Sequence, residues 1–414
     1  MNINEELNRC LHCVNKPCTK GCPLGNNTPE IIALLKEGKI EEAYQESCKT
    51  SVLQSVCGRI CPHEEQCEGS CTRRFKETAI SIGKIESYLG DYAIENNLPI
   101  PKYTTEQKPS KIAIIGGGPC GISCAAELAR NGYRPTIFEK HDYLGGILRH
   151  GIPPFRLDKT VLDKTLNKII DLGIDIKLNQ ELGSNLSLEE LTNDYDAIFL
   201  SIGCNVANKS KLEGENLEGV YGANELLEYQ THPDYHDKTV AINGCGNVAM
   251  DAARTVKSLG AKRVVIVYRR SENEMPATKE EYNLALNDNI EFLFQTNILK
   301  INGSEKVNSI ECIKTELVKS ETDDRLVPVN IEGTNFNLDI DYLIMALGSK
   351  KETVLNKLNE SLNKPLEIKE DGTTNYDKVF VGGDFKGEIQ TVAYASKSGI
   401  TGANNIIEYL KNKS

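Results

Sequence analysis

The chain has 414 residues, a net charge of −11 and a sequence pI near 5.3. Its length predicts about two to three domains, and so acidic a chain offers no basic face for nucleic acid. No stretch approaches the roughly eighteen apolar residues of a membrane span. The first ten residues lack the positive start and apolar stretch of a secretory signal, so we expect a cytoplasmic protein without nucleic-acid or membrane partners.

Cysteine is concentrated at the beginning of the chain. The same part of the chain is predicted to be helical over residues 29–47. Nine of the fourteen cysteines lie within residues 1–71. Without a secretory signal a disulfide framework is not expected, and clustered thiols in a reducing compartment indicate a metal site. Eight of the nine fall into two closely spaced groups, which are Cys10, Cys13, Cys18 and Cys22, and Cys57, Cys61, Cys67 and Cys71.

Short cysteine spacings of this kind are typical of loops that wrap iron–sulfur cubanes. A last cysteine followed by proline, as at Cys22, commonly binds the neighbouring cluster of a two-cluster protein. We therefore expect two [4Fe–4S] clusters, the first held by Cys10, Cys13, Cys18 and Cys71 and the second by Cys22, Cys61, Cys67 and one further ligand. Structural zinc also favours four cysteines, but zinc does not explain why this module precedes nucleotide-binding units.

After a linker with three prolines at 98–109, the sequence predicts a β–turn–α–β unit. The turn has the pattern G-x-G-x-x-G, from Gly116 to Gly121, between a β-rich run and a helical run. Glycines in such a turn let backbone N–H groups approach a pyrophosphate at the start of the helix. Glu139, at the end of the next strand, is placed to accept hydrogen bonds from a ribose. This unit predicts a dinucleotide site.

The same order of elements recurs from residue 239. Its turn, from Gly244 to Ala249, is the G-x-G-x-x-A variant, and its second strand leads into Arg269 and Arg270 instead of an acid. A carboxylate would repel a 2′-phosphate, whereas two guanidinium groups bind it. The second unit is therefore predicted to prefer NADP(H) over NAD(H). The alternative is that both arginines are solvated surface residues.

A further motif lies near the end of the chain. Gly382, Gly383 and Asp384 follow a predicted strand. Thr391 and Val392 then open a final helix. Asp384 is expected to accept a hydrogen bond from a cofactor hydroxyl, and the start of the helix is expected to face a flavin ring.

Together these motifs resemble the small (beta) subunit family of bacterial glutamate synthase. The pyridine-nucleotide subunit of NADH-dependent reduced ferredoxin:NADP oxidoreductase and the N-terminal half of dihydropyrimidine dehydrogenase are similar. The resemblance covers nearly the whole chain and rests on the cysteine groups and on IGGGPCGISCA, YLGGILRHGIPPFRL, NGCGNVAMDAARTVKSLGA, VYRRSENEMPA and VFVGGD.

The resemblance implies an α/β fold with a helical iron–sulfur N-terminal domain followed by two Rossmann-like nucleotide-binding domains, the second inserted in the first. The expected domains are residues 1–108 for two [4Fe–4S] clusters, 109–205 with 346–414 for FAD, and 206–345 for NADP(H). FAD contacts are implied at Gly118, Pro119, Gly121, Glu139, Gly146, Ile147, Arg156, Gly383, Asp384, Thr391 and Val392. NADP(H) contacts are implied at Gly244, Gly246, Asn247, Val248, Arg269, Arg270 and Gly348.

The last ligand of the second cluster is ambiguous. Cys57 is nearest by spacing, whereas the resemblance implies a Glu or Gln on a helix after the last cysteine, a position that Glu86 matches. We expect Glu86.

The sequence therefore predicts an NADPH-dependent oxidoreductase that passes electrons from NADPH through FAD and two [4Fe–4S] clusters to a partner subunit or ferredoxin-like acceptor. The hydride step needs no acid–base pair, so no catalytic side chain is expected. Because residues 1 and 2 offer no cysteine nucleophile for glutamine hydrolysis, we expect amination chemistry to belong to a partner subunit.

Three alternatives remain at this stage. The first is a subunit of an electron-bifurcating ferredoxin:NADP oxidoreductase or of a sulfide dehydrogenase-type complex. The second is a thioredoxin-reductase-like disulfide enzyme, for which Cys245 has no nearby cysteine in the sequence. The third is an electron relay without enzymatic activity, which Arg269 and Arg270 argue against.

Overall fold

The computed structural model describes residues 2–204, 206–319, 326–349, 351–387 and 389–413. It divides into two compact units. The first consists of Met1–Arg149, Pro154–Cys204 and Lys351–Ser414, and the second of His150–Pro153 and Asn205–Lys350. Of the helices in the described ranges, none has the length and apolar character needed to cross a membrane.

The first unit begins with six helices, which are α1 (Ile3–Arg9), α2 (Pro17–Gly21), α3 (Thr28–Lys36), α4 (Ile40–Cys48), α5 (Gln54–Ile60) and α6 (Ile82–Glu95). The helical stretch predicted over 29–47 is thus two helices. Gly38 separates them with a φ of 74°, and this left-handed conformation ends a helix. Ile32, Leu89 and the cysteines Cys67 and Cys71 belong to the buried core of this module.

The chain then forms β1 (Lys111–Ile115), α7 (Pro119–Arg130), β2 (Arg134–Phe138), α8 (Lys159–Ile170), β3 (Asp175–Lys177), α9 (Leu188–Asp194) and β4 (Ala197–Leu200). The second unit contributes β5 (Val220–Gly222), α10 (Ala223–Tyr229), β6 (Thr239–Asn243), α11 (Asn247–Ser258), β7 (Arg263–Val267), α12 (Lys279–Asn287), β8 (Glu291–Leu293), β9 (Thr296–Gly303), β10 (Val307–Lys319), β11 (Leu326–Asn330), β12 (Phe336–Asp339) and β13 (Tyr342–Met345). The chain returns to the first unit with α13 (Lys351–Asn359), β14 (Val379–Val381) and α14 (Val392–Lys413).

The sheet of the first unit is parallel, with the strand order β14-β4-β1-β2-β3. Its central strands β4, β1 and β2 are buried almost throughout, as expected where helices cover both faces of a parallel sheet. Helices α7 and α14 touch closely, since a Cβ on Gly399 would lie 2.1 Å from the carbonyl oxygen of Cys120. Only glycine permits this approach.

The second unit has its own parallel sheet, in the order β5-β13-β6-β7-β8, and an antiparallel sheet in which β10 pairs with β9, β11 and β12. The antiparallel sheet did not follow from the sequence. The predicted α/β class, with a helical N-terminal module and two Rossmann-like sheets, is confirmed.

The two compact units do not coincide with the predicted domains in two places, and the domain bounds stay a prediction. The helical module and the first parallel sheet form one compact unit. The linker between them is ordered, because the Tyr103 amide donates to the Arg130 carbonyl at 2.8 Å and Arg130 Nε donates to the Pro101 carbonyl at 2.8 Å. In addition, residues 346–349 lie in the second unit, where the Ala346 amide donates to the Asn243 carbonyl at 2.8 Å.

Candidate cofactor-binding sites

The first cysteine site lies at the surface of the helical module. Cys10, Cys13, Cys18 and Cys71 line one cavity that is open to the surface and has apolar walls that include Ile32. Four thiols around one cavity fit a [4Fe–4S] cluster. The loop between these cysteines takes an unusual path, because His12 and Lys16 have φ values of 47° and 45°. Such non-glycine residues concentrate at functional loops.

Two thiols of this site, those of Cys10 and Cys18, are poorly suited to ionise by themselves. Burial raises the pKa of Cys10, and it raises the pKa of Cys18 to about 11. A cationic iron centre reverses this preference, because a metal deprotonates the thiols that it binds. The donor set therefore fits a metal cluster better than it fits free thiols.

The second cysteine site is deeper in the module. Cys22 directly follows α2 and Cys61 directly follows α5. Cys67 lies in the loop after Cys61. Burial and the Glu86 carboxylate raise the pKa of Cys22 and Cys67. The pKa of Cys61 is raised chiefly by the neighbouring Cys57 thiol, and also by burial and by Glu86. Glu86 therefore lies close enough to act electrostatically on all three predicted ligands, and Cys57 lies within hydrogen-bond reach of Cys61.

Glu86 is a carboxylate in a costly position. Its Oε1 accepts a hydrogen bond from Asn26 Nδ2 at 3.2 Å, and burial raises its pKa to about 8. A buried carboxylate needs a cation or further hydrogen-bond donors to ionise. A bound iron ion would supply that cation. Asn26 lies 60 residues from Glu86, and no sequence motif indicates this contact.

Within the described residues no three His, Cys, Asp or Glu side chains are close enough to share a single metal ion. In a cubane the four ligands bind four different iron atoms, so their side chains stand farther apart than those around one ion.

The first glycine turn connects β1 to α7 at the carboxyl edge of the first sheet. Gly116 has a φ of 103°, and a Cβ on Gly121 would lie 2.0 Å from the Gly116 carbonyl oxygen. Glu139 Oε2 accepts a hydrogen bond from the Gly117 amide at 2.7 Å, which fixes the carboxylate beside the turn. Pro119 is the first residue of α7, where it needs no hydrogen-bond partner.

A second loop approaches this turn, since a Cβ on Gly146 would lie 2.9 Å from Gly118 Cα. Ile147, beside Gly146, leaves 43% of its surface exposed, and Arg156 is half-buried in the segment before α8. Together with the helix start, the two glycine loops form a cradle of the kind that holds a pyrophosphate.

The C-terminal motif lies over the same turn. A Cβ on Gly383 would lie 3.0 Å from Cys120 Cβ, and the Gly383 amide donates to Ser398 Oγ at 2.9 Å. Burial raises the pKa of Asp384 to about 6. The structure thus brings Gly383, the residue before Asp384, against Cys120 of the first glycine turn, and the contact of Asp384 with a cofactor stays a prediction.

The beginning of α14 also meets the helical module. Thr391 precedes Val392, the first residue of this helix, and Gln66 Nε2 donates to Thr391 Oγ1 at 3.4 Å. Gln66 is the residue before Cys67, so this contact joins the second cysteine site to the predicted FAD site. Gln66 and Ser398 were not predicted from the sequence, because each forms its hydrogen bond with a residue of another segment of the chain.

The second glycine turn lies between β6 and α11. Gly244 has a φ of 130°, and its Cβ would lie 2.3 Å from the Ala346 carbonyl oxygen. Gly246 precedes α11, which begins with Asn247 and the half-buried Val248, and Asn247 Oδ1 accepts from the Thr278 amide at 3.1 Å. Nothing lies within 4 Å of a Cβ placed on Gly246, so this turn leaves room for a ligand.

Two arginines follow β7 on the same carboxyl edge. Arg269 is exposed and Arg270 is half-buried, and neither forms an ion pair with a carboxylate in the described ranges. Their main chains are fixed, because the Arg269 carbonyl accepts from Thr315 Oγ1 at 2.8 Å and the Arg270 carbonyl accepts from the Gln295 amide at 2.9 Å. Gly348, with a φ of 73°, lies in the loop after β13.

Comparisons with known proteins agree with this arrangement. Residues 1–98 match the family described as dihydropyrimidine dehydrogenase domain II, 4Fe–4S cluster, and residues 110–399 match the pyridine nucleotide-disulphide oxidoreductases. The glutamate synthase [NADPH] small chain of Escherichia coli is 34% identical over 98% of this chain and 91% of its own length. The NADP(+)-dependent formate dehydrogenase subunit beta of Moorella thermoacetica is 31% identical over 96% of this chain and 60% of its own length.

Among solved structures, Mycobacterium tuberculosis FprA in complex with NADPH matches with a TM-score of 0.63 and 19% identity, over 74% of this chain and 85% of that protein. This likeness supports the fold alone. The extent of the match to the curated small chains is what decides the relationship: this chain belongs to the glutamate synthase small-chain family of pyridine nucleotide-disulphide oxidoreductases, with an N-terminal 4Fe–4S domain.

Proposed function

We propose that this NADP(H)-dependent flavin and iron–sulfur oxidoreductase holds two [4Fe–4S] clusters and one FAD at the residues described above, and that it delivers electrons from NADPH to a partner subunit or a ferredoxin-like acceptor. When bound, FAD accepts two electrons from NADPH as a hydride, and the clusters carry electrons one at a time. The observation that carries the proposal is the single cavity lined by Cys10, Cys13, Cys18 and Cys71.

In the first unit, backbone N–H groups at the start of α7 would bind the FAD pyrophosphate, since the glycine loops leave no Cβ in the way. Glu139, held beside the turn by the Gly117 amide, would accept hydrogen bonds from the ribose. Asp384 would accept one from a flavin hydroxyl, which compensates for the burial of its carboxylate. These residues bind and orient the cofactor, and none transfers a proton.

In the second unit, the start of α11 would bind the NADP(H) pyrophosphate. Arg269 and Arg270 would bind the 2′-phosphate, because they lie at the carboxyl edge of β7 and have no carboxylate partner in the described ranges. This charge arrangement supports NADP(H) as the coenzyme.

In the helical module, Cys10, Cys13, Cys18 and Cys71 would hold the first cluster, and Cys22, Cys61, Cys67 and Glu86 the second. The Glu86 carboxylate, which lies close enough to act electrostatically on all three cysteines of its set, supports Glu86 over Cys57 as the last ligand.

The names of the relatives support a partner. One relative is the small chain of a glutamate synthase and another is the beta subunit of a formate dehydrogenase. By this analogy, the present chain supplies electrons to a larger subunit that carries out the chemistry on the final substrate.

The cluster content tests the proposal directly. Protein purified without oxygen should contain about eight iron and eight acid-labile sulfide per chain from two four-iron clusters, together with one flavin. Cys13→Ser should lose about half of the iron and sulfide. Cys48→Ser is the matched control, because Cys48 is a fully buried cysteine outside both groups, and it should retain all of the iron. Stoichiometric zinc without sulfide, or full iron in Cys13→Ser, would contradict the proposed ligand set.

A further inference from the structure

The surface around the first cysteine site exposes large apolar side chains. Val14 is 96% exposed, Phe75 is 83% exposed and Leu11 is 52% exposed. Burial of a large apolar side chain is favourable, and grouped exposure of this kind marks interaction surfaces. Leu11 also lines the cavity of the first cysteine site, so the apolar surface adjoins that site.

Two segments of the chain form this surface, residues 9–20 and residues 71–76, and we call them together the Val14 face. The segments are joined directly. Arg73 Nε donates to the Arg9 carbonyl at 2.6 Å, and Cys13 Sγ lies 3.3 Å from Thr72 Oγ1. Leu11 and Val14 on the first segment and Phe75 on the second therefore belong to one region of the surface.

The Val14 face is basic in an otherwise acidic chain. Its two segments contain six basic residues and no acidic residue, whereas the whole chain has a net charge of −11. Arg9 and Arg73 are ion-paired with Glu6 and Glu77. The other four are exposed and form no ion pair with a carboxylate in the described ranges, and they are Lys16, Lys20, Arg74 and Lys76.

The order of the contacts makes this face the outer end of the electron route. Gln66 links the start of α14 to the loop that bears Cys67 of the second site. Cys22 of the second site and Cys18 of the first lie on one helical turn, where the Cys22 amide donates to the Cys18 carbonyl at 3.1 Å. The first site then adjoins the Val14 face. The proposed electron route from the FAD site would therefore reach solvent at this surface.

We propose that the Val14 face is the docking surface for an acidic one-electron carrier protein, whose carboxylates contact the four unpaired basic residues and whose small apolar centre covers Val14 and Phe75. The proposal rests on the proposed function and adds to it the surface and the charge of the partner. Each NADPH becomes NADP⁺ and releases one proton and two electrons, and each electron reduces one molecule of the carrier. Opposite charges around an apolar centre favour fast, salt-sensitive association of this kind.

Steady-state reduction of three acceptors tests the proposal. The acceptors are an acidic ferredoxin, the basic protein cytochrome c, and menadione, a small uncharged quinone. The double variant Lys20→Glu/Lys76→Glu should lower kcat/KM for ferredoxin by about tenfold or more, as expected from lost electrostatic steering, and leave menadione reduction unchanged. Val14→Ser/Phe75→Ser should raise KM for ferredoxin. Lys357→Glu, a charge reversal at an exposed lysine of α13 in the same unit, is the matched control and should resemble wild type.

The two levels of the proposal fail in different ways. If wild-type protein reduces menadione with NADPH but reduces ferredoxin no faster than cytochrome c, the docking proposal is overturned and the proposed function stands. The docking proposal is also overturned if Lys20→Glu/Lys76→Glu and Lys357→Glu have equal effects on ferredoxin reduction. Absence of NADPH oxidation with every acceptor, by protein loaded with flavin and iron, contradicts the proposed function itself.

Discussion

We propose that the coenzyme preference depends on two arginines, and their removal should then change it by a predictable amount. Charge-assisted hydrogen bonds contribute about 1.5–3 kcal/mol each. Arg269 is exposed and Arg270 is half-buried, and solvent weakens such contacts, so we expect about 1.5–3 kcal/mol for the pair together. This corresponds to roughly a ten- to hundredfold loss of NADPH affinity in Arg269→Ala/Arg270→Ala. NADH lacks the 2′-phosphate, so its affinity should change less than about threefold.

The assay is KM for NADPH and for NADH with menadione as acceptor, together with the dissociation constant of NADP⁺. Arg263→Ala is the matched control. It removes an arginine from the opposite end of β7, where Arg263 is ion-paired with Glu291 at 2.7 Å, and it should leave both coenzymes unaffected. Higher ionic strength should weaken NADPH binding to wild type more than to the double variant. Equal losses for NADPH and NADH in the double variant would refute the assignment of the arginines to the phosphate.

Three further predictions concern the other sites. Burial raises the pKa of Asp384 from 3.8 to about 6, so the folded protein binds this proton more tightly than the unfolded chain, and the resulting destabilisation is present above about pH 6 and absent below about pH 4. Asp384→Asn should therefore raise the free energy of unfolding of the flavin-free protein by up to about 3 kcal/mol at pH 7.5 but not at pH 4, and it should weaken FAD binding. Urea titrations at both pH values measure the stability, and a flavin titration measures the FAD binding. Equal stability effects at the two pH values would contradict the prediction. Glu86→Ala should lose or perturb one cluster while Cys57→Ser keeps both, as judged by iron content and reduced-state EPR; the reverse result makes the second site all-cysteine. Gly121→Ala should fold poorly, because its Cβ would lie 2.0 Å from the Gly116 carbonyl oxygen, whereas Gly118→Ala, with 3.9 Å to its nearest neighbour, should fold and retain less FAD; equal thermal stability of the two variants would contradict the clash.

The parts of the fold that the sequence predicts well are those encoded over short distances. The turns at Gly116 and Gly244 follow buried strands and precede helices that begin at residues 119 and 247. Glycine spacing and apolar runs within about 30 residues are sufficient to recognise such a unit. The break between α3 and α4 was also encoded locally, at Gly38, but the apolar spacing on both sides concealed it.

The parts that were missed depend on long-range pairing. Strand β10 has a mixed burial pattern along its length, because it pairs on both sides in a sheet that is partly exposed, and no single periodicity identifies it. The contacts Asn26–Glu86 and Gln66–Thr391 span 60 and 325 residues. Polar contacts between distant segments leave no pattern in a single sequence, so the structure was needed to find them.

The cysteines of the helical module serve its fold as well as its chemistry. Cys67 and Cys71 are buried in the apolar core, and Cys10, Cys18 and Cys22 pack against it. In the proposed loaded protein these core members would be thiolates, and the cluster that neutralises them would complete the core and contribute directly to folding. The ordered linker at Tyr103 and the contact at Thr391 then tie this module to the first parallel sheet within one compact unit. Loss of a cluster ligand should consequently weaken flavin retention as well, because the two sites share one packed structure.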